Sequence, residues 1–191
     1  MRFHVISLPH TQTTKDYVIC AFTEKVRRFC MMMNGLGHTV YLYASEDNEA
    51  PVDELITCIT KEQQQEALAG KHFTEAEFDT KLPHWQIFNG KVIEELGKRL
   101  EEKDFICVIG GSSHKPIADA YPDHMTVEFG IGYGGTFAKY RVCESYAWMH
   151  SIYAMFKDPT LVDGNFYDAV IPGYLEPEMF PLQEKKEDYY L

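Results

Sequence analysis

Residues 126–156, TVEFGIGYGGTFAKYRVCESYAWMHSIYAMF, decide how this chain is read. The stretch opens like a strand. It closes on a helical stripe of Val142, Tyr146, Met149, Tyr153 and Phe156, with Gly130, Gly132, Gly134 and Gly135 crowded between. Gly130-x-Gly132-x-x-Gly135 fits the dinucleotide-binding fingerprint letter for letter. That fingerprint works when it joins the first strand directly to the first helix, with an acidic residue about 20 positions on. Here it follows the fifth apolar strand, the segment TFAKYRV separates it from the helix, and the corresponding later position is Ile152. The loop after the first strand, PHTQTTKD, has no glycine. Dinucleotide chemistry is therefore set aside. The glycines are expected to let the chain turn tightly and to bring backbone N–H groups near a ligand.

Upstream, FHVISL reads as a strand, and Val18, Phe22, Val26, Phe29 and Met33 recur at helical spacing. Gly35 and Gly37 end that helix before a second strand, HTVYLYA. ELITCIT is a third strand, and residues 61–84 are polar, with one helix and an irregular piece expected. Trp85, Phe88, Val92, Leu96 and Leu100 mark another helix, with Glu94–Lys98 and Lys98–Glu102 pairs outside. FICVIGG is a buried strand running into glycines, MTVEFG a fifth and YDAVIP a sixth. This alternation specifies an α/β, Rossmann-like three-layer sandwich with a mainly parallel sheet of about six strands, in the default order 3-2-1-4-5-6. Ligands then bind beyond the carboxyl ends of strands 1 and 4, where the order reverses. The loops there are Pro9–Lys15 and Gly110–Lys115, with the glycine loop beside them.

The chain has 191 residues, enough for one well-packed domain, and 45% hydrophobic residues to fill its core. A net charge of −11 opposes binding to nucleic-acid backbones or anionic membranes. Cys20, Cys30, Cys58, Cys107 and Cys143 sit singly in apolar segments with no C-x-x-C, which points to buried, reduced thiols and a cytoplasmic protein. The apolar run at the N-terminus is too short for a signal peptide or a membrane span. None of the eight histidines forms H-x-x-x-H or pairs with a cysteine at ligand spacing, and there is no D-x-D triplet, so no metal is expected.

Three stretches resemble one family. YDAVIPGYLEPEMF is similar to the segment that links the two domains of GT-B-fold glycosyltransferases, family 4 and its relatives, with Gly173 where Asn is usual. FTEKVRRFCMMMNGLGHTVYLYAS resembles their first helix and the turn into the second strand. VEFGIGYGGTFAKYRVCESYAWMHSIYA resembles a microbial and viral subgroup. The resemblance covers nearly the whole chain. It implies that residues 1–173 form the N-terminal, acceptor-side domain, with 174–191 a linker or tail leading to a C-terminal donor-binding domain supplied in cis or in trans. A truncated chain, a naturally split enzyme and a half with another role all fit. The implied activity is sugar transfer from a nucleotide-sugar donor to an acceptor hydroxyl, with no bound metal or other cofactor. A non-catalytic binding or assembly module is the alternative, and a nucleotide-dependent oxidoreductase comes third.

Under this resemblance the candidate bases are His114, then His10, then Glu128. An imidazole at the switch point titrates near neutrality, whereas Glu128 lies in a strand where it could instead pair with Arg141. Candidate substrate contacts are Pro9, Thr11, Thr13 and Thr14, then Gly110, Gly111, Ser112 and Ser113, and finally Gly132, Tyr133, Gly134 and Gly135 with Arg141 and Glu144. The apolar residues of the tail predict docking on the same domain or on a second copy, so a homodimer is a further expectation.

Overall fold

A computed structural model of the chain describes residues 1–76, 79–156 and 165–181. Seven strands form one sheet: β1 (Arg2–Ile6), β2 (Thr39–Ala44), β3 (Glu54–Thr57), β4 (Phe105–Val108), β5 (Met125–Ile131), β6 (Tyr140–Cys143) and β7 (Asp168–Val170). Their order is β3-β2-β1-β4-β5-β6-β7 and every pairing is parallel. The helices are α1 (Ala21–Gly35), α2 (Lys61–Ala67), α3 (Pro83–Leu96), α4 (Lys115–Ala120) and α5 (Tyr146–Phe156). The chain is thus an α/β Rossmann-like sandwich, with the order reversing between β1 and β4.

Period-2 alternation sorts the core into two layers. Phe3 and Val5 of β1 face α1 together with Val40, Leu42, Cys107 and Phe129. Ile6 faces the other way, packing with Tyr43, Ile106 and Val108 against Phe88, Val92 and Leu96 of α3. His4, on that second face, is a buried polar group fully engaged between the Tyr43 hydroxyl and Asp104, both at 2.9 Å. The helix boundaries follow local chemistry. Thr60 and Gln63 form a capping box on α2, Pro83 opens α3, and Gly37 at φ +76° follows α1. All five cysteines are free and buried.

The seventh strand corrects the sequence reading. The helical stripe does not begin at Val142, because Tyr140–Cys143 is inserted as a strand between β5 and β7. Ser145 then starts the helix, its hydroxyl accepting from the Trp148 N–H at 3.2 Å. Arg141 is not paired with Glu128. Its guanidinium grips Asp168 of β7 with two bonds of 2.8 and 2.7 Å, and the Tyr153 hydroxyl of α5 donates to the same carboxylate at 2.6 Å. Val18 lies before α1 and is exposed.

Handedness explains where the helices sit. Right-handed crossovers that step from β1 toward β3 place α1 on one face; steps from β4 toward β7 place their helices on the other. α5 accordingly packs on Ile131 and Cys143, and Val142 points to the opposite face. On that opposite face α1 covers Cys107 and Phe129, the Phe29 ring stacking on Phe129 at 4.3 Å, while Val127 and Val142 are only half-buried.

Candidate functional site

The glycines after β5 do local mechanical work. The β5–β6 register breaks between Glu128 and Ile131, and Gly130 there has φ +59°. Gly135 and Gly111 also have positive φ, at +78° and +58°. The Ser112 N–H donates to the Gly135 carbonyl at 2.9 Å, so the loops after β4 and β5 are joined to each other. A Cβ at Gly132 would overlap the Glu144 carboxylate, which lies across it and pairs with Lys25 at 2.5 Å. The fingerprint glycines build a strand bulge and a loop junction; the segment after them enters β6 rather than a helix.

Glu128 is fully buried and holds this loop. Its Oε1 accepts from the Tyr133 hydroxyl at 3.1 Å, and its Oε2 accepts from the N–H groups of Phe137 and Ala138 at 3.0 and 3.1 Å. Burial raises its pKa, partly offset by those N–H donors.

His114 is also fully buried. The Gly110 N–H donates to its Nδ1 at 3.2 Å, which leaves the proton on Nε2. Nε2 has no partner among the described residues, and Trp85 and Phe88 pack on the ring. Burial alone lowers its pKa to about 3. Gly110 is required here because its Cα lies flat against the imidazole. A Cβ would stand 2.7 Å from both Cε1 and Nδ1 of a ring that Trp85 and Phe88 flank. Gly110→Ala is therefore expected to destabilise the fold by about 1–3 kcal/mol, read by urea unfolding. Adding His114→Ser should recover part of the loss by removing the ring; a double variant no more stable than the sum of the singles would refute the contact.

His10 lies beneath the same region, its Nε2 3.9 Å from Cys20 Sγ, beside Trp85 and near His84. Burial, then the His84 charge, lowers its pKa to about 4. Thr11 and Thr13 are buried, bonded to Thr23 at 2.5 Å and Ser7 at 3.3 Å. The Pro9 carbonyl accepts from Gln64 at 3.0 Å. All three candidate bases are thus turned inward, where they shape loops.

A cavity of about 220 Å³ opens above the switch point. The structure brings Gly110, Gly111, Ser112, Ser113, Tyr133 and Gly134 into its wall, together with Leu8, Phe22, Thr80 and Trp85. Two of the three expected loops therefore meet. The third does not, because Thr14 lines a separate cavity of about 700 Å³ rich in acidic side chains. Arg141 serves the β6–β7 joint and Glu144 the Lys25 contact. Phe22, Thr80 and Trp85 were missed. Trp85 and Phe22 looked like ordinary helix-stripe residues, and their aromatic size ahead of the switch-point loops was the available signal. Asn89 of α3 braces the site, donating to the Ser113 carbonyl at 2.7 Å.

Among the described residues, no group of three or more His, Cys, Asp or Glu is placed to hold a metal ion, and no helix is long and apolar enough to cross a membrane. Comparison with protein-family models and with curated protein sequences returns no match.

Proposed function

We propose that this domain is the acceptor-binding half of a glycosyltransferase, working with a donor-binding domain that carries the nucleotide sugar. The observation that carries the reading is the switch-point cavity. About 220 Å³ is enough for a single small ring, and Phe22, Trp85 and Tyr133 give it aromatic walls. Ser112, Ser113 and Thr80 supply hydroxyls, and the glycine loops supply backbone N–H and C=O groups. Apolar faces with a few convergent polar groups suit a ring whose hydroxyls lie at its edge.

The burial of His114, His10 and Glu128 favours a second reading, a non-catalytic binding module. A base must lie within hydrogen-bond reach of the acceptor hydroxyl. His114 could serve only after the Gly110 N–H leaves Nδ1.

Titrating monosaccharides while following backbone amide shifts at Gly111, Ser112 and Gly134 tests the site. Saturable shifts there are expected. Adding nucleotide sugar and a donor-side domain then separates the readings. Sugar transfer supports the enzyme, binding without transfer supports the module, and no saccharide-dependent shift sinks both.

A further inference from the structure

The switch-point cavity is graded in polarity from floor to mouth. Leu8 stands just past β1 and Ile109 just past β4, the two strands that flank the reversal of order. Both line the cavity, and exposures of 1% and 0% put them at its floor. Trp85, Phe22 and Tyr133 form the walls, with the Phe22 and Tyr133 rings 5.4 Å apart. The exposed polar side chains are Thr80 and Ser112, at the mouth. An entering ring therefore meets aliphatic side chains at its leading end and hydroxyls only behind.

Most of the polar groups around this space are already engaged. The Gly110 N–H donates to His114, and the Ser112 N–H to the Gly135 carbonyl. The Ser113 hydroxyl donates to the Gly110 carbonyl. The Tyr133 hydroxyl donates to the buried Glu128 at 3.1 Å, which leaves its ring carbons for the cavity. The Thr80 and Ser112 hydroxyls remain, with no bond to any described residue. Among the described residues, no charged side chain lines the cavity. A hydroxymethyl group carried to the floor gives up water and gains no side-chain partner, whereas a methyl group has no such bond to lose. A carboxylate there would be stranded without a counter-charge.

We propose that the acceptor unit held in this cavity is a neutral 6-deoxyhexose, its methyl group on Leu8 and Ile109 and its ring hydroxyls toward Thr80, Ser112 and solvent. The sugar class rests on the acceptor-binding reading and narrows it. The aromatic walls take the C–H faces of any hexose ring. The floor is what selects among them.

D-Fucose, D-galactose and D-galacturonate share one ring configuration and differ only in carrying a methyl, a hydroxymethyl or a carboxylate at carbon 6. D-Quinovose, D-glucose and D-glucuronate form a second such series, and L-rhamnose with L-mannose a further pair. Each is titrated while following the amides of Gly111, Ser112 and Gly134 and the methyls of Leu8 and Ile109. In the configuration that binds, the 6-deoxy sugar is expected to bind roughly ten- to a hundred-fold more tightly than its hydroxymethyl counterpart. The matching uronate should not saturate, and the sugar methyl should show a nuclear Overhauser contact to Ile109. Ile109→Thr puts a hydroxyl on the floor and should cut the preference by about three-fold or more. Thr80→Val, at the mouth, should weaken both sugars and leave their ratio unchanged. Should Ile109→Thr fail to fold, the unsubstituted protein and the ligand series decide alone. Equal affinity for methyl and hydroxymethyl sugars, a uronate that binds as well, or a ratio indifferent to a folded Ile109→Thr would overturn the proposal. The acceptor-binding reading would survive those results. It falls, and the sugar class with it, if no saccharide of any series moves the three amides.

Discussion

Lowering the pH from 6.5 to 5 is expected to remove about 3 kcal/mol of folding stability, through His10 and His114. Burial holds their pKa values at about 4 and about 3, against 6.5 for an exposed imidazole. Between those limits the unfolded chain takes up protons that the folded chain refuses. Stability therefore falls as the pH falls, at a slope that approaches about 1.4 kcal/mol per unit for each histidine by pH 5. The ring of His114 faces Trp85 and Phe88, and for His10 burial and then the His84 charge both work against protonation. His84 and His4 are lowered as well and add to the effect, while Glu128, raised by burial, opposes it once it protonates in the fold. Most domains have only about 5–15 kcal/mol in reserve. Urea unfolding at pH 6.5, 5.75 and 5.0 measures the slope; a flat profile would show that these imidazoles are solvated in solution. His114→Gln should flatten the slope by about half if the two act independently.

The second large effect is expected at Asp168. Arg141 and Asp168 are both buried, joined by two hydrogen bonds across the β6–β7 pairing, with Tyr153 adding a third contact from α5. Asp168→Ala would strand a buried guanidinium and is expected to cost about 3–5 kcal/mol. Replacing both partners, as Arg141→Met with Asp168→Leu, should cost much less, since no charge is then left unpaired. Thermal unfolding of the single and double variants decides this. A single substitution worth under about 1 kcal/mol would mean the pair is effectively at the surface.

This joint also shows where the sequence stopped being legible. The long apolar periodicities were readable, so β1, α1, β2, α3, β4 and β5 could be placed, and with them the reversal between β1 and β4. β6 was hidden because YRVC is four residues long and abuts a helix whose stripe can be extended backward through Val142. Only tertiary pairing on both edges makes it a strand. The direction of Arg141 was similarly hidden: Glu128 is its register neighbour, but the preferred carboxylate arrives from Asp168, 27 residues later. At the site, Gly110–Ser113 and Tyr133–Gly134 were legible from the switch-point rule. The burial of His114 was not. It depends on α3 bringing Trp85 and Phe88 over the ring, a packing event with no local signature. Glu128 was ambiguous because only the loop's return places the Phe137 and Ala138 N–H groups on its carboxylate.

The strand order also dictates a folding problem. β1 finds β2 within the first 44 residues, but its other edge must wait for β4, and Phe3 pairs with Phe105 across about a hundred residues of chain. The central strand of the sheet is thus half-paired from the completion of β2 at Ala44 until β4 begins at Phe105, with apolar side chains on both faces. Parallel pairing over such separations is slow, because the loop-closure entropy is spent before the contacts form. An early β3-β2-β1 unit with an open β1 edge is accordingly the state in which this protein is most exposed to misassembly.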